Sequence, residues 1–142
     1  MASIIQISEA ASLALHSMVM LAASPERSLT VKEITARTGV SEAHLSKVMQ
    51  RLAKAGLVKS TRGPKGGFLL GDKGLSTALL DIFESIEGPV GTGGCLLPSK
   101  ECPFRECLFG GLLGRMTTEF KEYMKNKTLG DMISCQKEER TA

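Results

Sequence analysis

Residues 30–70 read TVKEITARTGVSEAHLSKVMQRLAKAGLVKSTRGPKGGFLL, and this stretch decides the fold. Thr30 followed by Glu33 is a capping box, in which each side chain satisfies a backbone N–H at a helix start. The short helix that follows, Val31–Thr38, stops at Gly39, a residue suited to the left-handed turn after a helix. Ser41 then caps a longer helix with Leu45, Val48, Met49 and Leu52 at helical spacing, and Gly56 closes it. Leu57–Thr61 and Phe68–Leu70 are short strand-like runs. Between them Arg62-Gly63-Pro64-Lys65-Gly66-Gly67 demands a turn and carries positive charge. A helix, a glycine turn, a second helix and a basic hairpin follow the order of a winged helix-turn-helix.

That order assigns roles. The second helix of such a unit enters the major groove with its N-terminal residues at the base edges. Here those are Ser41, Glu42, His44, Leu45 and Lys47, with Arg51 further along. A hydroxyl serves donor or acceptor edges, and a lysine reads guanine or grips phosphate. Arg62 at the wing tip can reach a narrow minor groove, with Lys65 beside it, while Gly63 and Gly66 let the backbone run close to phosphates. Helix-turn-helix spacing alone arises often by chance; the capping box, the glycine turn and the basic wing add the specificity. Lys54 and Lys59 read as solvated surface, and His44 as either a DNA contact or an ordinary exposed side chain.

Working outward, Ser8–Ala23 reads as a helix with a broad apolar face, ended at Pro25. Ser76 is placed to cap a helix over Thr77–Glu87, and Gly88–Glu101 is rich in Gly, Pro and Ser and reads as a loop. A long helix is expected from about Pro103 to Lys127, with Leu108, Leu112, Leu113, Met116, Phe120 and Met124 along one stripe. A last turn near Thr128–Ile133 precedes a polar tail. The stripe is expected to be a dimer interface, the alternative being packing on its own domain.

The charge divides along the same line. Residues 1–74 hold ten Lys or Arg against five Asp or Glu, and residues 75–142 hold eight against ten, within a net charge of +3. From Lys47 to Lys65 there are six basic residues and no acidic one. A basic front on a mildly acidic back suits a DNA-binding module joined to a sensing or assembling one. Aromatic residues are only 4% of the chain, which disfavours base-stacking recognition of single strands. No apolar run of transmembrane length and no signal-peptide pattern occurs, so no membrane contact and a cytoplasmic location are expected. In that compartment clustered cysteines more often bind metal or sense redox state than form disulfides. No nucleophile–base pair and no phosphate-binding glycine loop is present, so an enzyme is not expected; a scaffold using the helix-turn-helix for protein contacts is the remaining other class.

Leu13-Ala14-Leu15-His16, Gly39-Val40-Ser41, Leu52-Ala53-Lys54-Ala55-Gly56-Leu57-Val58, the wing from Arg62 to Leu70 and Leu80–Gly88 together resemble the Rrf2 family of transcriptional regulators. The resemblance runs from about Ile7 to Ile133. It implies a fold that is mostly α with a small β wing, and a homodimer held by the C-terminal helix with its wings astride double-stranded, palindromic operator DNA. The chain then divides into a DNA-binding domain (1–74), a linker helix, cysteine loop and dimerisation helix (75–135), and a polar tail (136–142).

The cysteines fall at Cys95-x6-Cys102-x4-Cys107, with Cys135 in the tail. Thiolates are the usual ligands of iron–sulfur clusters, and a loop lets three converge. A helix N-terminus also favours the thiolate form. Inert thiols and zinc are the competing readings, although structural zinc sites usually show closer cysteine pairs. Cluster-binding members of the resembled family carry three cysteines here at equal gaps; this chain departs by one residue in each gap while keeping the span. The resemblance therefore implies an iron–sulfur cluster, 2Fe-2S or 4Fe-4S, on Cys95, Cys102 and Cys107, in a repressor or activator sensing redox state, nitric oxide or iron–sulfur status. Some members supply a fourth ligand from a histidine just after the third cysteine, where Gly110 stands here. Others use an acidic residue of the partner's first helix, where this chain has Ser12. Glu9 and His16, a turn to either side, are the substitutes, with Cys135 a weaker one. The alternative is the same regulator without a cluster, acting as a thiol switch or through a protein partner.

Overall fold

The computed structural model describes residues 5–64, 66–91, 95–97 and 102–141. Six helices and one hairpin follow in the order α1 (Glu9–Ala23), α2 (Val31–Thr38), α3 (Glu42–Lys54), β1 (Val58–Thr61), β2 (Gly67–Leu70), α4 (Leu79–Glu87), α5 (Leu112–Asn126) and α6 (Leu129–Thr141). The capping box forms as read: Thr30 N–H donates to the Glu33 carboxylate (2.8 Å) and Glu33 N–H to Thr30 Oγ1 (3.2 Å). Gly39 takes φ 73°, which an L side chain adopts only with strain, and turns α2 into α3.

β1 and β2 pair antiparallel with Val58 opposite Leu70 and Thr61 opposite Gly67. Leu29 pairs with the other edge of β2, exchanging both backbone hydrogen bonds with Phe68 (3.0 and 2.8 Å). That approach is close enough that a Cβ on Gly67 would lie 2.4 Å from the Leu29 carbonyl oxygen. Gly67→Ala is therefore expected to lower unfolding stability by about 1–3 kcal/mol, as overpacking does. A parental denaturant midpoint would contradict the close approach.

One apolar cluster takes Met18 and Leu21 from α1, Ile34 from α2, Leu45, Met49 and Leu52 from α3, Ile82 from α4 and Leu129 from α6. Burial of these faces is the main force holding the helices together. α5 joins through Met124, 6% exposed, and through Phe120, whose ring meets Phe83 edge-on at 5.1 Å. No helix among the described residues is long and apolar enough to cross a membrane.

Three expected boundaries are corrected. α4 begins at Leu79, not Thr77: Ser76 closes a short turn by donating to the Lys73 carbonyl (2.6 Å), and Leu79 N–H bonds the Lys127 carbonyl (2.9 Å). α5 starts at Leu112, not near Pro103, because Gly110 and Gly111 both take positive φ (54° and 78°) and break the helical path. The expected last turn is the start of a thirteen-residue helix, α6. It opens on a second reciprocal cap, Thr128 N–H to Asp131 (2.9 Å) and Asp131 N–H to Thr128 Oγ1 (3.3 Å).

Candidate DNA-reading surface and cysteine cavity

The phase of α3 sorts the residues read as DNA contacts. Leu45, Val48, Met49 and Leu52 are buried and define its inner face. Leu45 is fully buried, so it packs the core and is withdrawn from the reading set. The opposite face presents Ala43, Lys47, Gln50 and Lys54, all exposed, with Ser46 half-buried alongside. Ala43 and Gln50 were missed from sequence; continuing the core stripe around the helical wheel identifies them. Ser41 is the N-cap, its Oγ accepting the His44 N–H (3.2 Å), and Glu42 is exposed in the first turn. His44 is half-buried on one flank, with Nδ1 3.6 Å from Glu9 Oε1. Arg51 lies on the same flank and donates to the Ile86 carbonyl in α4.

In the wing, Arg62, Gly63 and Pro64 are exposed, and Lys65 lies outside the described residues. Gly63 takes φ 110°, and Gly66 N–H closes the turn on the Gly63 carbonyl (2.8 Å). Thr61 Oγ1 donates to the Gly67 carbonyl (3.1 Å) and accepts the Gly67 N–H (2.9 Å), fixing the base of the tip. Lys59 pairs with Asp72, and its hydrogen bond, then its charge, holds the Asp72 carboxyl below the usual range.

Cys95, Cys102 and Cys107 are exposed and line a single cavity of about 480 Å³ with apolar walls that include Leu96, Phe104, Leu108 and Phe109. Among the described residues no three His, Cys, Asp or Glu side chains stand close enough together to hold one metal ion. The Cys107 thiol is pushed below its ordinary value, first by the Phe109 backbone N–H and then by those of Gly111 and Gly110. In the metal-free folded protein Cys107 thiolate therefore persists to lower pH than in the unfolded chain. Its alkylation by iodoacetamide is expected to rise at lower pH than in urea, followed by peptide mass spectrometry. Coincident profiles would show that these N–H groups do not face the sulfur. Cys135 lies exposed on α6 and does not line the cavity.

Glu9, Ser12 and His16 share one face of α1 and line a groove with Arg37, Thr38 and Val40 at the helix-turn-helix turn. This groove and the cysteine cavity share no lining residue, so one chain does not bring the two sets together. His16 Nδ1 donates to the Ser12 carbonyl (2.6 Å). A carbonyl only accepts, so this contact fits the tautomer with the proton on Nδ1, which in the neutral ring leaves Nε2 with a lone pair. Metal-bound histidines are commonly prepared in this way, with the other ring N–H on a carbonyl or carboxylate.

The α5 stripe divides. Phe120 and Met124 turn to the chain's own core and Leu113 and Met116 are half-buried, whereas Leu108 (80%) and Leu112 (43%) remain exposed, with Tyr123 (54%) beyond them.

The model of a family described as "Rrf2: Iron-dependent Transcriptional regulator" matches residues 7–135. The HTH-type transcriptional regulator IscR of Escherichia coli is 33% identical over 110 residues, 73% of this chain and 64% of that protein. The match thus spans less than two thirds of the length of these curated relatives. Among solved structures, CymR (YrzC), the global cysteine regulator of B. subtilis, superposes with a TM-score of 0.76 at 30% identity, covering 92% of this chain and 98% of that one. T. potens IscR gives a TM-score of 0.76 at 25% identity, covering 97% and 93%.

Proposed function

Because the chain belongs to the Rrf2 family, we propose that it is a transcriptional regulator that binds double-stranded operator DNA as a homodimer and answers to an iron–sulfur cluster on Cys95, Cys102 and Cys107. The observation that carries the reading is the three-thiol cavity in a chain that also presents a basic helix-turn-helix and wing. The outward stripe of α3 supplies the base contacts: Lys47 to guanine or phosphate, Gln50 with the donor and acceptor pair that matches adenine. The wing, through Arg62, lies in the flanking minor groove. Leu108, Leu112 and Tyr123, the exposed apolar side of the α5 region, face the second subunit.

The donor set suits the cluster: three soft, exposed thiols lining one cavity, one of them already favoured as thiolate. When bound, such a cluster supplies iron that reacts with oxygen or nitric oxide and changes charge with oxidation state. The fourth position would go to a residue of the partner's first helix, with His16 favoured because its Nδ1 contact with the Ser12 carbonyl would leave Nε2 available in the neutral ring. A histidine in place of Gly110 would be strained at its positive φ, which accords with a ligand coming from elsewhere.

A second reading, the same regulator without iron acting as a thiol switch or through a protein partner, is supported by four exposed cysteines outside any disulfide and by the likeness to CymR. Iron and sulfide analysis of anaerobically purified protein separates the two. For DNA, enrichment of duplexes from a randomised pool tests the major-groove role. Lys47→Ala is expected to lower the ratio of enriched-duplex to random-duplex affinity by about tenfold. An unchanged ratio would remove α3 as the reader.

A further inference from the structure

Arg51 carries a role that its charge conceals. It sits on the flank of α3, off the outward stripe, and its guanidinium donates to the carbonyl of Ile86 in the last turn of α4. A helix leaves its last carbonyls without partners inside the helix and carries partial negative charge at that end. α4 has no basic residue in its last turn, and Glu84 and Glu87 add negative charge there. The cation that this end lacks comes from α3.

The contact belongs to a ring. At the N-terminal end of α3, His44 faces Glu9, the first residue of α1. Beside Glu9, the Ser8 hydroxyl donates to Glu87, the last residue of α4. α3 is thus hydrogen-bonded to α4 at one end and approaches α1 at the other, while Ser8, the N-cap of α1, bonds the end of α4. The chain leaves for the cysteine segment at this point, where Glu84 also accepts the Val90 N–H (2.9 Å). The buried stripe seats α3 on the core, but apolar burial is non-directional. A hydrogen bond weakens steeply with distance and angle, so the Arg51–Ile86 tie sets how the helix tilts.

We propose that Arg51 is a positioning residue, which sets the angle of the reading helix by anchoring it to the end of α4, and not a phosphate contact. The inference rests on α3 being the DNA-reading helix. The test uses the whole protein, a duplex enriched by the parent protein from a randomised pool and a random-sequence duplex of equal length, titrated over a range of salt. Arg51→Met keeps the aliphatic stem and removes the donor; Arg51→Ala removes both. The expected result for either variant is a loss of about tenfold for the enriched duplex, with affinity for the random duplex unchanged. The slope of log affinity against log salt stays parental on both duplexes. A phosphate contact predicts otherwise: both duplexes weaken alike and the slope becomes shallower by about 0.9 for each arginine lost. That outcome overturns the proposal, as does parental preference in both variants. If the parent enriches no duplex at all, the premise about α3 fails, and Arg51's role falls with it.

Discussion

Cys107→Ala is expected to leave the protein without iron or sulfide after anaerobic reconstitution, and Cys95→Ala and Cys102→Ala to do the same. The three thiols line one cavity, and no other cysteine shares it. Removal of one leaves two thiols in the cavity, too few to hold a cluster whose remaining ligand comes from outside the site. Cys135→Ala is the control, since Cys135 lies on α6 away from the cavity, and it is expected to keep the parental iron content. Iron retained in any of the first three variants would show that the site is drawn wrongly. His16→Ala, by contrast, is expected to yield a cluster of altered absorption, because an external ligand can replace the histidine.

The second large effect is at the wing. Arg62 projects from a hairpin whose base is fixed by Thr61 and whose tip turns on Gly63, so truncating it leaves the fold intact. In the proposed dimer two such side chains would be lost, each placed in a minor groove where negative potential is concentrated. Arg62→Ala is expected to weaken binding to the enriched duplex by about 10- to 100-fold at fixed salt, at about 1–3 kcal/mol for the interaction. The melting temperature should stay parental. Affinity within threefold of the parent would mean that the wing does not enter the groove.

What was legible from sequence follows the range of the interactions involved. The capping box, the Gly39 turn and the wing are local, written within a few residues, and each formed as read. Leu45 was misplaced because proximity to the helix start was weighed without the helix phase, which turns that position to the core. The helical stripe at Leu108–Met124 looked continuous because apolar spacing passes through Gly110 and Gly111, whose backbone conformation breaks it. α6 was cut short because its apolar residues stop at Ile133, although the Thr128–Asp131 cap marks where it starts. The ties that orient α3 join residues far apart in sequence, 35 in the case of Arg51 and Ile86, and no local pattern announces them. The cysteines were legible as a group, whereas their common cavity came only from the folded chain.

In the proposed regulator, iron on the three cysteines controls how α3 and the wing meet DNA. The measurement that tests it most directly is the affinity of anaerobically purified protein for the enriched duplex before and after the iron is removed, with iron counted in both samples. Iron and sulfide are expected in the first sample, with a change in affinity of about 5- to 150-fold between the two, the usual range of coupling between distinct sites. Equal affinities, or a first sample that binds the duplex fully while holding no iron, would contradict it.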